Sequence, residues 1–104
     1  MFGLPQDSLS KIKEVLSNQK KIESAIIYGS RAKGDYREGS DIDLSLKGDL
    51  SYRNLVEISV ELDNLNLPWE IDLSLYGQIQ NKELREHIDR VGVALEEKTG
   101  GNNR

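Results

Sequence analysis

Residues 28 to 44 read Tyr28-Gly-Ser-Arg-Ala-Lys-Gly-Asp-Tyr-Arg-Glu-Gly-Ser-Asp-Ile-Asp-Leu44, and the nature of the whole chain turns on them. An apolar run, Ala25-Ile26-Ile27-Tyr28, leads into the small-residue turn Gly29-Ser30, as a buried strand entering a phosphate-cradling loop would. Further on, Asp41, Asp43 and Ser45 alternate with Ile42, Leu44 and Leu46. A period of two puts the carboxylates on one face of a strand and the aliphatics on the other. Two aspartates side by side on an exposed face repel unless something positive lies between them. A divalent metal ion is the usual answer, and a metal beside a phosphate loop points to phosphoryl or nucleotidyl transfer.

Working outward, Pro5-Gln6-Asp7-Ser8 reads as a helix start with Asp7 or Ser8 as N-cap. Leu9, Ile12, Val15, Leu16 and Ile22 then give an amphipathic helix over roughly residues 8 to 20. A strand from Ser24 to Tyr28 follows, then a short helix from Ser30 to Gly34 and a loop from Asp35 to Ser40. The diacid strand, Asp41 to Leu46, ends at the turn Lys47-Gly48-Asp49. Ser51 caps a helix expected to turn Tyr52, Leu55, Val56, Ser59, Leu62 and Leu65 inward, and Asn64 to Pro68 breaks it. Trp69 to Leu75 repeats the alternation, with Glu70, Asp72 and Ser74 on one face, until Tyr76-Gly77 ends it. Asn81 caps a last helix whose stripe is Leu84, Ile88, Val91 and Leu95.

The expected order is α-β-α-β-α-β-α: a single α/β (α+β) domain over residues 1–98, three short strands with helices packed on the sheet, and a disordered tail at 99–104. Periodicity alone leaves the strand directions open.

A chain of 104 residues has room for one domain. It lacks the long apolar run a membrane span needs, and its N-terminus lacks the pattern of a signal peptide. With no cysteine there is no disulfide framework and no thiolate chemistry, so the cytoplasm is the expected location. The net charge of −4 disfavours direct binding of nucleic acid through the protein's own surface. One local basic cluster exists at Arg31, Lys33 and Arg37; solvent suits Arg37, while Arg31 and Lys33 are open to phosphate contact or solvent exposure.

The spacing Gly-Ser, ten residues, Asp-x-Asp resembles the signature of the polymerase-beta-like nucleotidyltransferase superfamily. More narrowly, the chain is similar to the minimal nucleotidyltransferases, antitoxin partners of HEPN-domain toxins. That resemblance covers about residues 8 to 97 and implies a mixed sheet. It also implies a third carboxylate on a later strand, where Asp72 stands, with Glu70 on the same face as the competing candidate. Asp41, Asp43 and Asp72 would then hold two Mg²⁺ ions, with Asp72 also assisting deprotonation of an acceptor hydroxyl. Gly29 and Ser30 would bind the β- and γ-phosphates of ATP, glycine by permitting close backbone approach and serine by its hydroxyl.

Each element alone has an ordinary explanation. Most Gly-Ser turns are plain turns, and surface strands often display acids. A calcium loop is disfavoured because Leu46 stands where that loop needs glycine. His87 reads as a helix-surface residue with no catalytic part, Tyr28 and Tyr36 as packing residues, and Ser40 as structural. The function the resemblance implies is Mg²⁺-dependent transfer of AMP from ATP to a hydroxyl, a tyrosine of a cognate HEPN-type RNase toxin. The alternative is a non-catalytic antitoxin that neutralises its partner by contact.

Overall fold

The computed structural model describes residues 1–97. Eight regular elements run α1 (Gln6–Ser17), β1 (Ile22–Tyr28), α2 (Ser30–Lys33), β2 (Ile42–Gly48), α3 (Tyr52–Asp63), β3 (Ile71–Leu75), α4 (Lys82–Val91) and β4 (Val93–Glu97). A single 3-10 turn, Tyr76–Gln78, joins β3 to the segment before α4. The strands form one mixed sheet in the order β3-β2-β1-β4. β1 runs antiparallel to both β2 and β4, and β2 runs parallel to β3.

Alternation along the strands decides what each face carries. Ala25, Ile27, Ile42, Leu44 and Leu46 are buried against Leu9, Ile12 and Leu16 of α1 and Ile58 and Leu62 of α3. Ile12 and Leu16 have no exposed surface. Burying side chains of this size contributes about 1.5–3 kcal/mol each. The other face of β1 carries Ser24, Ile26 and Tyr28, and α4 lies over it: Ile26 and Ile88 line one cavity, and the Tyr28 and His87 rings meet edge to face at 6.1 Å.

Four expectations need correcting. The first helix starts at Gln6 with Pro5 as its N-cap and no side-chain cap. Pro5 already has a φ of −58°, and its carbonyl accepts the first helical bond from Leu9 N–H at 3.0 Å. Asp7 instead pairs with Lys11 at 3.3 Å, and Ser8 is buried. Ile22 belongs to β1, because α1 stops at Ser17.

The inner face of α3 is rotated from the expected one. Ile58 and Leu62 are buried and Leu55 and Leu65 half-buried, while Tyr52 and Val56 are exposed. Both stripes obey helical spacing and share 55, 62 and 65; the packing of α3 on the sheet turns the set 55, 58, 62, 65 inward. The Ser51 cap does form, as a capping box with Asn54.

Among the described residues the sheet has four strands. Leu95 lies in β4, paired with β1, and not on the last helix. Gly92 makes the break: a Cβ there would overlap the Ile88 carbonyl and the Ile26 side chain, so only glycine lets the helix end so close to β1. Asn81 caps α4 as expected, its side chain accepting from Leu84 N–H at 3.0 Å. The tail at 99–104 lies outside the described residues.

Candidate active site

Sheet register brings the signature together. Tyr28 faces Asp43 across the antiparallel pair, and Asp43 faces Asp72 across the parallel one. Three adjacent strands therefore carry Tyr28, Asp43 and Asp72 in one row. The next row holds Ile26, Ser45 and Ser74, with the Ser74 hydroxyl 3.2 Å from that of the fully buried Ser45. Asp41 precedes β2 and is exposed, as is Asp72, while Asp43 is half-buried. Glu70 lies before β3 begins, so Asp72 is the acid opposite Asp43.

The electrostatics follow from that row. The Asp43 carboxyl is held above the usual carboxylate range, first by burial, then by Asp72 and Asp41, with His87 opposing the rise. The Tyr28 phenol is also raised, chiefly by burial; a hydrogen bond with Ser74 opposes this, and Asp43 and Asp72 reinforce it. Among the described residues, no ion pair neutralises Asp41, Asp43 or Asp72.

Gly29 closes the site from β1. Its backbone has φ 74° and ψ −155°, a region nearly closed to other residues, and a Cβ there would overlap Asp43 Oδ2. Glycine thus lets the turn lie directly against the carboxylate. Ser30 opens α2, and the first N–H groups of a helix lack partners within it.

Arg31 has neither of the fates expected of it. It is only 2% exposed, and it donates from Nε to the Ser40 carbonyl at 3.0 Å, from one terminal nitrogen to Phe2 at 2.9 Å and from the other to Glu38 at 3.1 Å. The rings of Tyr36 and Trp69 lie 5.2 and 5.6 Å from its guanidinium carbon. The indole of Trp69 donates to the same Glu38 carbonyl at 3.0 Å. Arg31 is the internal brace of the loop that delivers Asp41. Lys33 pairs with Asp35 at 3.5 Å and stays exposed. The Ser40 hydroxyl accepts from Arg37 N–H at 2.7 Å, a structural role.

His87 lies deeper than the helix-surface position expected of it. It is half-buried, packs on Tyr28 and acts electrostatically on Asp43. Nothing in the local pattern of α4 signals this, because it depends on how the helix crosses the sheet. Tyr28 is the packing residue expected of it, buried and edge to face with His87.

The acidic row suits a hard cation in donor chemistry: carboxylate oxygens in no ion pair among the described residues, and a backbone turn pressed against one of them. Among the described residues no group of three His, Asp or Glu side chains is placed to hold a metal ion, so Asp41, Asp43 and Asp72 do not converge as a set of three. Mg²⁺ is commonly held by one or two carboxylates together with water and substrate phosphates, so an open set fits it.

A mixed sheet carrying this row after a Gly-Ser turn defines a nucleotidyltransferase core. Residues 10–99 match the family described as Polymerase beta, Nucleotidyltransferase, and the chain belongs to it. It is 31% identical over 86 residues to a Methanocaldococcus jannaschii protein named as a protein adenylyltransferase, spanning 81% of this chain and 87% of that one. Over 99 residues it is 27% identical to a Haemophilus influenzae protein named as protein adenylyltransferase MntA, spanning 93% and 86%.

Among solved structures, a toxin–antitoxin crystal structure with AMP-PNP superposes with a TM-score of 0.69 at 19% identity, covering 92% of this chain and 76% of that one. The Shewanella oneidensis complex of a tri-AMPylated HEPN toxin with an MNT antitoxin gives 0.65 at 19% identity, covering 89% and 72%. These structural likenesses establish the shared fold.

Proposed function

We propose that this nucleotidyltransferase moves AMP from ATP onto a hydroxyl, a tyrosine of a cognate HEPN-type RNase toxin, and thereby acts as its antitoxin in the cytoplasm. The observation that carries the reading is the register-matched pair Asp43 and Asp72 beside the Gly29 turn. The names of the relatives support a protein substrate, and the solved complexes support a toxin as the kind of partner.

In this reading Asp41, Asp43 and Asp72 hold Mg²⁺. The ion, when bound, neutralises phosphate charge and favours departure of pyrophosphate. Gly29 and Ser30 receive the β- and γ-phosphates, the glycine by leaving room and the serine by donating its hydroxyl. Asp72, exposed at the end of the row, takes the proton from the acceptor hydroxyl. The acceptor oxygen bonds to the α-phosphorus as the bond to the bridging oxygen breaks, and pyrophosphate leaves. Arg31 keeps the 35–40 loop in the shape that presents Asp41.

The test is direct. The chain is incubated with MgCl₂, ATP and the HEPN-domain protein encoded by the neighbouring gene, and that protein is weighed by mass spectrometry. An AMP-sized increment that disappears in Asp41→Ala and Asp43→Ala supports the enzyme. Neutralisation without any mass change, surviving both substitutions, replaces it with a contact-only antitoxin.

A further inference from the structure

The rotated face of α3 leaves a surface that the catalytic row does not use. Tyr52, Val56 and Val60 are 70%, 44% and 51% exposed and recur every fourth residue, so they form one apolar stripe along the helix. Beside it runs β3, whose outer edge has no strand partner among the described residues. Helix and edge strand enclose an open groove of about 310 Å³, which Ile71, Leu73 and Asp72 line from the strand side. Asp72 lines the groove at the strand edge, while its side chain shares the opposite face of the sheet with Asp43.

We infer that this groove seats the segment of the acceptor protein next to its reactive hydroxyl. The inference rests on the proposed transfer reaction and adds where the acceptor is gripped. Two observations select that occupant. First, the groove runs along the free edge of β3, so a chain paired with that edge places alternate side chains on the α3 face and on the face that carries Asp43 and Asp72. Second, the volume suits two or three apolar side chains and is at the lower limit for a ligand pocket, too small for a nucleotide and its triphosphate together.

Charge narrows the partner's chemistry. The chain carries −4 overall, the exposed Glu57 and Glu61 outnumber Arg53 on α3 beside the stripe, and Asp72 is among the groove's lining residues. The matching segment is apolar with flanking Lys or Arg. It docks by laying aliphatic or aromatic side chains on Tyr52, Val56 and Val60, and the free edge of β3 offers backbone groups as well.

The experiment replaces Val56 and Val60 together by Lys, removing apolar contact and repelling a basic segment; a Val56→Ser, Val60→Ser pair serves as the milder version. Both are compared with the parent chain for melting temperature and ATP binding, which neither pair is expected to change. Affinity for the neighbouring HEPN-domain protein is measured by calorimetry, and AMP transfer to it by mass spectrometry.

The expected result is a rise of about tenfold or more in Kd and in KM for that protein, with kcat and the KM for ATP unchanged. Kd and KM within about twofold of the parent in both variants overturn the groove, as does a parent chain that does not bind the HEPN-domain protein. A parent that binds but transfers no AMP removes the proposed reaction instead, and the Kd comparison still decides the docking site.

Discussion

Replacing Arg31 by Met tests how the signature loop keeps its shape. The substitution removes three donated bonds, to Phe2, Glu38 and Ser40, at 2.9, 3.1 and 3.0 Å. Bonds from a charged donor contribute about 1.5–3 kcal/mol each, and the lower value applies because an exposed loop lets water reach the freed carbonyls. The loss is then about 4.5 kcal/mol, with roughly 0.5–1 kcal/mol more for each ring beside the guanidinium. Methionine returns about 2 kcal/mol, by burying an apolar chain and sparing the desolvation of a charge that has no carboxylate partner.

The net destabilisation is about 4 kcal/mol, a large share of the roughly 5–15 kcal/mol typical of a domain. Urea unfolding with an unchanged slope measures it. Arg31→Lys keeps the charge, but one ammonium cannot span three carbonyls in different directions, so its loss falls between. Because the Ser40 carbonyl adjoins Asp41, both variants are also expected to weaken Mg²⁺-ATP binding. An Arg31→Met protein within about 1 kcal/mol of the parent, binding Mg²⁺-ATP equally well, refutes the brace.

Other outcomes follow from the same geometry. Gly29→Ala forces a side chain into a backbone region costing about 1–3 kcal/mol and pushes Asp43 aside, so AMP transfer collapses while urea unfolding shows only that modest loss. Asp43 binds its proton more tightly folded than unfolded, so its contribution to stability is greatest below the unfolded value of about 3.9 and is lost as pH rises through the raised folded value. The parent therefore weakens relative to Asp43→Asn across that rise, and parallel melts at a series of pH values display the gap. Millimolar MgCl₂ raises the parent's melting temperature at neutral pH and leaves Asp43→Asn nearly unmoved; an equal response in both removes Asp43 from the ion's ligands. Ser51→Ala breaks the capping box and lowers stability by about 1 kcal/mol, without effect on transfer.

What could be read from the chain, and what could not, divides by range. Caps at Ser51 and Asn81 depend on residues three positions apart, and both form as read. The alternation of β2 and β3 is equally local, and it correctly put Asp43 and Asp72 on comparable faces; the register that sets them opposite each other needed the folded sheet. The fourth strand was hidden because Leu84, Ile88, Val91 and Leu95 keep helical spacing across the boundary, and only the crowding around Gly92 breaks it. On α3, a tyrosine and a valine looked like core residues because hydrophobicity alone does not say which of two overlapping stripes meets the sheet. Arg31 was misread for a different reason. Its partners are backbone carbonyls as far away as Phe2, and side-chain identities carry no trace of those.

The pairing of β4 with β1 has a consequence for how the protein is made. Residues 93–97 close an edge of the strand that enters the signature turn, yet they are the last of the described strands to be synthesised. During translation, the nascent chain must carry β1 with one flank open until this late segment clears the ribosome. A stop codon at position 93 would leave that flank bare for good, a ready template for joining other chains.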